Sequence, residues 1–122
     1  MDFDITSLLD RDVLIVTFTG QSSEKNAHAI TKRYFEIVLA SGANKVLADI
    51  RPLMGRLSLV DTYSLLRNLP VKPTPTGIKT AILDTKEDRG YANFLETTSV
   101  NAGVSIRCFV DREAALSWLN TP

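Results

Sequence analysis

Apolar residues along this chain change their spacing again and again. From Val13 to Thr19 the run Val-Leu-Ile-Val-Thr-Phe-Thr is dense in β-branched and aromatic residues, which suit a pleated surface. From Ser23 to Ala40 the apolar positions Ala27, Ile30, Tyr34, Ile37 and Val38 recur at the spacing of one helix face. The alternation repeats from Lys45 to Ile50 then Ser58 to Leu69, from Ile78 to Leu83 then about Thr85 to Ala102, and from Val104 to Val110 then Asp111 to Leu119. Strands that alternate with helices of this length read as a parallel sheet with helical crossovers, and such crossovers are right-handed in nearly all proteins. The predicted fold class is therefore α/β: an open, mostly parallel sheet of four strand-helix units wound into a right-handed superhelix.

The residues between these segments punctuate them. Phe3, Ile5, Leu8 and Leu9 precede Asp10-Arg11-Asp12, which predicts a hairpin with a tight acidic turn and an extra N-terminal edge strand. Gly20-Gln21-Ser22-Ser23 supplies a bend and a hydroxyl N-cap at Ser23, and Gly42 after Ser41 can take the left-handed conformation that closes a helix. Val46-Leu47-Ala48-Asp49-Ile50 is almost wholly apolar, as a strand covered on both faces would be, and belongs near the centre of the sheet. Ser58-Leu59-Val60-Asp61 has the form of a capping box, with Leu59, Tyr63, Leu66 and Leu69 on one helix face and Pro70 as the stop. The Pro-rich bridge from Pro70 to Gly77 favours extended backbone. Thr85 or Asp88 can cap the third helix, with Tyr91, Phe94, Leu95 and Thr98 on its inner side and Asn101-Ala102-Gly103 as its end. Asp111 can cap the last helix, whose buried stripe is Ala115, Trp118 and Leu119.

Size and charge narrow the function more than they name it. A chain of 122 residues suits one domain, residues 1–122. Fourteen basic and fourteen acidic side chains cancel, which removes the electrostatic footprint of a nucleic-acid binder. The lone Cys108 has no partner for an internal disulfide, which fits a reducing cytoplasm, and within an apolar strand it reads as a small hydrophobe. The start Met1-Asp2-Phe3-Asp4 lacks the basic and apolar stretches of a signal peptide. No run approaches the ~18 apolar residues of a membrane span, so a cytoplasmic protein without stable membrane insertion is expected.

Catalytic chemistry finds little to work with. His28 is the only histidine and sits at a helical position between Glu24 and Lys32, the place of a surface side chain rather than a base. Neither a Cys-x-x-Cys nor a His-x-x-x-His pair is present, so no metal or cofactor is expected. Gly20 to Ser23 offers backbone N–H groups at a helix start, yet it lacks the further glycines of a dinucleotide loop and the lysine of a phosphate loop. Asp49 or Asp61 as a general base has no supporting constellation, and the expectation is a protein that is not an enzyme.

In open parallel sheets ligands collect beyond the carboxyl ends of the strands. That rim is made here by Gly20 to Ser23, Asp49 to Arg56, Asp84 to Lys86, and Asp111. Asp49 and Arg51 lie two apart at the end of the central strand and face one side; they either pair with each other or meet a charged group on a partner. The loop Arg51-Pro52-Leu53-Met54-Gly55-Arg56-Leu57 is longer than a minimal turn and unusually apolar.

The arrangement resembles the SpoIIAA-like proteins, relatives of the STAS domains whose best-known members are anti-anti-sigma factors. The resemblance spans nearly the whole chain and is clearest in three stretches: Leu47-Ala48-Asp49-Ile50-Arg51, Asp61-Thr62-Tyr63-Ser64-Leu65-Leu66, and residues 100–111 with Ala114-Ala115-Leu116-Ser117-Trp118-Leu119. It implies a small cytoplasmic α/β module that acts by binding, with a fold akin to SEC14-type lipid-binding domains. In anti-anti-sigma factors a serine that a partner kinase phosphorylates follows the strand-ending aspartate by nine residues, and Asp49 and Ser58 reproduce that spacing. The usual flanking aspartate and serine-glycine pair are replaced by Leu57 and Leu59-Val60, and Ser58 can equally serve as a helix cap alone.

Two functions of different class follow. In the first, Asp49, Arg51, Leu53, Met54, Arg56, Leu57, Ser58, Tyr63 and Asp84 contact another protein, or a second copy in a homodimer, because a contiguous apolar patch around Leu53, Met54 and Leu57 would mark a contact surface. In the second, a small apolar or lipid-like ligand sits between sheet and rim loops, with Arg51, Tyr63 and Tyr91 as its polar contacts.

Overall fold

The computed structural model describes residues 3–23, 25–55, 78–85 and 105–121. Strand β1 (Phe3–Asp10) turns at Arg11 and Asp12 into β2 (Val13–Gln21), followed by helix α1 (Ala27–Ser41), β3 (Lys45–Asp49), the two-residue β4 (Leu53–Met54), β5 (Lys79–Leu83), β6 (Ile106–Phe109) and helix α2 (Arg112–Leu119). Among the described residues the sheet has six strands in the order β1-β2-β3-β5-β6, with β4 paired to β2. Among the described strands only β1 with β2 is antiparallel; the β2–β3, β2–β4, β3–β5 and β5–β6 pairs are parallel. The predicted N-terminal edge strand and the central place of β3 are both present. The helices expected over 58–69 and about 85–102 lie outside the described residues.

Strand alternation sends side chains to two cores. Leu14, Val16 and Phe18 of β2 with Val46 and Ala48 of β3 pack beneath Ile30 and Val38 of α1. Val13, Leu47, Ala81 and Leu83 face the other way and pack against Ala115 and Leu119 of α2. Consecutive β3 residues thus enter different cores, and Val46 and Leu47 are wholly buried. Each contributes roughly 1.5–3 kcal/mol of burial free energy. This explains the unbroken apolar run in β3, because no face of it meets water.

Helix α1 starts later than the sequence suggests. Asn26 directly precedes the helix, while Ser23 makes the predicted capping contact one turn earlier: its Oγ accepts the Asn26 N–H at 3.4 Å, and the Asn26 carboxamide folds back on the strand end. Asn26 Oδ1 accepts the Ser23 N–H at 2.8 Å while Nδ2 donates to the Gln21 carbonyl at 2.7 Å. The Ser23 carbonyl in turn accepts Ala27 N–H at 3.0 Å, which closes one turn ahead of the helix. The other end is as predicted: Gly42, at φ 71°, takes the left-handed conformation. Asp111 caps α2 by accepting the Ala114 N–H at 3.1 Å, also as predicted. At the opposite end of the sheet Lys79 Nζ donates to the Trp118 and Thr121 carbonyls at 2.8 and 2.9 Å and lies 4.6 Å from the Trp118 ring centre. That clamp ties the end of α2 to the start of β5.

Candidate functional site

Parallel register brings the strand ends level with one another. Asp49 stands opposite Leu83, and Leu83 opposite Phe109, so the segments leaving β3, β5 and β6 emerge along one border. The backbone continues the lacing past the strands, with Ile50 N–H on the Leu83 carbonyl at 3.0 Å and Asp84 N–H on the Phe109 carbonyl at 2.9 Å.

Asp49 ends β3 and is buried, with 7% of its surface exposed. Its carboxylate takes three bonds from Arg51: the backbone N–H at 3.1 Å and Nε at 3.0 Å on Oδ1, and Nη2 at 2.9 Å on Oδ2. The geometry is the bidentate fork that guanidinium and carboxylate make best. Burial pushes the Asp49 carboxyl up, yet the Arg51 hydrogen bonds and charge, helped by Arg112, outweigh it and hold the group below its ordinary value. Of the two arrangements open to these residues, the local ion pair is the one that forms. The Arg51 side chain remains 43% exposed, so its outer edge still meets water.

The following segment is fastened rather than loose. Leu53 and Met54 pair with Gly20 and Gln21 at the end of β2, and Ser22 N–H donates to the Met54 carbonyl at 2.8 Å. Gly55 sits at φ 81°, where a Cβ would lie 3.0 Å from the Ser22 carbonyl oxygen, so the close approach of the two chains depends on a glycine. Leu53 packs against the core beneath α1, which removes it from the apolar patch predicted for this loop. Its neighbour Met54 projects to the other face and is 68% exposed. Asp84 is 2% exposed, its carboxylate accepting the Thr85 N–H at 2.8 Å, and it makes further polar contacts. It therefore shapes the border from within instead of offering a charge to a partner. Arg56, Leu57, Ser58, Tyr63 and Tyr91 lie outside the described residues.

Three contributors escaped the sequence reading. Asn26 ties the β2 end to α1, Gly55 permits β4, and Arg112 adds positive charge near Asp49 from the first turn of α2. Gly55 alone carried a local signal, as a glycine directly after an apolar pair in a loop.

His28 is exposed on α1, and Cys108 is half-buried within β6. Among the described residues no group of three or more His, Cys, Asp or Glu side chains converges as a metal site. No helix among them is long and apolar enough to cross a membrane.

No protein-family model matches the chain, and no curated protein sequence does. Solved structures do match. An anti-sigma factor antagonist from Mycobacterium paratuberculosis superimposes with a TM-score of 0.66 at 12% identity, over 98% of this chain and 95% of that one. An uncharacterised DUF3478-family protein with a SpoIIAA-like fold, from Shewanella loihica PV-4, gives a TM-score of 0.59 at 23% identity, over 96% and 93% of the two chains. Matches that span both chains end to end, on a sheet with this order, assign the SpoIIAA-like fold.

Proposed function

We propose that the chain is a non-enzymatic, STAS-type regulatory module that captures a partner protein through the segment from Arg51 to Ser58 and the helix predicted after it. One observation carries this reading: the β4 segment is pinned to the end of β2 by main-chain pairing, and it presents Met54 at 68% exposure. A backbone already fixed before binding spares the cost of ordering a loop, which favours an apolar side chain carried on it as a contact residue. Methionine also adapts its shape to a partner surface. The Asp49–Arg51 pair holds the guanidinium at the end of β3 and leaves its outer edge exposed as a polar group on the same segment as Met54. The partner class that best suits the surface is a protein, in keeping with the anti-sigma factor antagonist that shares the fold. Ser58 is the proposed modification site, where phosphate would bring about two negative charges to the helix start predicted from the sequence, two positions after Arg56.

In the apolar-ligand alternative Arg51 would serve through the edge that its pair with Asp49 leaves exposed. Tyr63 and Tyr91, its other proposed polar contacts, lie outside the described residues.

The test is affinity capture from native lysate with the full chain, its Met54→Asp variant, and Leu57→Asp added to it. Partner retention should fall at least tenfold for Met54→Asp while the circular dichroism spectrum stays unchanged, the loss expected of a central contact residue. Retention equal to that of the parent protein removes the proposal.

A further inference from the structure

The outer edge of β1 forms a second candidate contact surface, and two backbone contacts fix which of its groups point outward. Ser22 N–H reaches Met54 O, so even-numbered positions of β2 aim toward β3 and β4 and odd-numbered ones toward β1. The odd positions Val13, Ile15, Thr17 and Thr19 stand opposite Asp10, Leu8, Thr6 and Asp4. Those four β1 residues bond to β2, which turns the N–H and C=O of Phe3, Ile5, Ser7 and Leu9 to the outside. Ile5 agrees: its N–H is held at 2.9 Å by the carboxylate of its own neighbour Asp4, not by β2. Among the described residues no strand pairs this outer side.

Natural edge strands are usually blunted by lysines, prolines or bulges. This one runs eight residues without lysine or proline, pairs with β2 in unbroken register, and carries Leu8 at 67% and Leu9 at 58% exposure. We propose that β1 is a self-association edge on which two copies of the chain pair β1 to β1, antiparallel about a twofold axis at Thr6. The register follows from the outward set, because odd positions must meet odd positions. An axis at Ser7 would set Asp4 against Asp10 twice. An axis at Thr6 sets Phe3 against Leu9 and Ile5 against Ser7, with Asp4 across from Leu8 and Asp10 across from position 2 at either end, and it engages all four outward positions where the Ser7 axis engages three. That register closes about eight N–H···O bonds and gives each Leu9 a cross-strand aromatic neighbour. The occupant is a second copy because the donors, acceptors and apolar pairs are satisfied by the same strand reversed. The Asp4 carboxylate must release the Ile5 N–H when the strands meet, so it acts as a local competitor of pairing.

Sedimentation equilibrium of the full chain from about 10 µM to 0.5 mM, a range that brackets a weak homodimer, reads the association. Moderate salt is included to screen the carboxylates the two strands bring together. The mass should rise from 13.5 kDa toward twice that value. Leu9→Lys changes an exposed side chain, and Ser7→Pro removes only an outward N–H. Each should weaken dimerisation at least tenfold with the circular dichroism spectrum retained, whereas Asp4→Ala should strengthen it. A monomer at every concentration, Asp4→Ala included, overturns the proposal. So does a dimer that withstands Leu9→Lys, or one that is lost on Met54→Asp.

Discussion

Removing the Arg51 side chain tests the physics of the border directly. In Arg51→Ala the Asp49 carboxylate, whose side chain is only 10% exposed, loses both guanidinium bonds and keeps the backbone N–H of residue 51. Breaking a fully buried ion pair from one side costs about 3–5 kcal/mol, whereas an exposed pair is worth about 0.2–1 kcal/mol. Here the acid is buried and the base is 43% exposed, so water can reach part of the vacated space. The surviving backbone bond and the charge of Arg112 soften the loss further. A destabilisation of about 2 kcal/mol at pH 7 is the expected middle value, which shifts a urea midpoint by roughly 1 M. The pH dependence supplies an independent check. With Arg51 present, the folded-state carboxyl titrates below its ordinary 3.8. Its contribution is therefore complete above the unfolded value and is lost as pH falls through the folded one. Without the guanidinium, burial dominates and pushes the carboxyl up, so acidification relieves the variant while it weakens the parent. The stability gap should shrink between pH 7 and pH 3, and adding Asp49→Asn to Arg51→Ala should restore part of the loss at pH 7. A gap below about 0.5 kcal/mol at pH 7, or one that stays constant down to pH 3, refutes this account of the pair.

Two further outcomes follow from single residues. Arg11 opens the β1–β2 turn at φ 57°, a conformation that suits glycine, so Arg11→Gly should raise the melting temperature by a few degrees, about 0.5–1 kcal/mol after the added unfolded-state entropy of glycine. A lower melting temperature would mean that the arginine side chain makes a compensating contact. The Tyr34 hydroxyl is buried without a hydrogen bond of good geometry, and burial, opposed only in part by nearby Thr80, pushes its ionisation up to about 12. Because the folded value lies above the ordinary 10.0, the parent keeps this contribution below that pH and loses it as pH climbs toward 12. Tyr34→Phe should be neutral or stabilising by up to about 1 kcal/mol at pH 7, and in urea titrations it should flatten the alkaline loss of stability; a clear destabilisation at pH 7 contradicts it.

How far the chain can be read without coordinates depends on whether a signal is local. The β-branched density of β2, the double-sided burial of β3, the spacing of Ala27, Ile30 and Val38, and the caps at Gly42 and Asp111 are properties of a few adjacent residues, and each appears where it was expected. The Asp49–Arg51 pair was visible for the same reason. The pairing of Leu53 and Met54 with Gly20 and Gln21 was not, since it joins segments more than thirty residues apart and leaves only Gly55 as a local trace. Without that pairing Leu53, Met54 and Leu57 read as one patch; with it, Leu53 turns inward and Met54 outward. The start of the first helix was legible in part. The Ser23 hydroxyl caps the turn ahead of it, as expected, but the reach of Asn26 to the Gln21 carbonyl, which ties that turn to β2, left no local trace.

The two proposed surfaces also constrain one another through strand direction. β2 runs opposite to β1, and β3, β5 and β6 run with β2. If a second β1 lies antiparallel to the first, every parallel strand of the second copy points opposite to its counterpart. The two borders that hold Arg51 and Met54 then open toward opposite ends of a continuous sheet. β4 joins β2 on the side away from β1, so pairing at the outer edge neither covers Met54 nor disturbs the segment that holds it. A dimer built this way binds two partners that do not meet. Leu9→Lys should accordingly leave partner retention per chain unchanged while halving the size of the captured complex, and Met54→Asp should do the reverse. Cross-talk between those two substitutions would mean that one of the two surfaces has been placed at the wrong end of the strands.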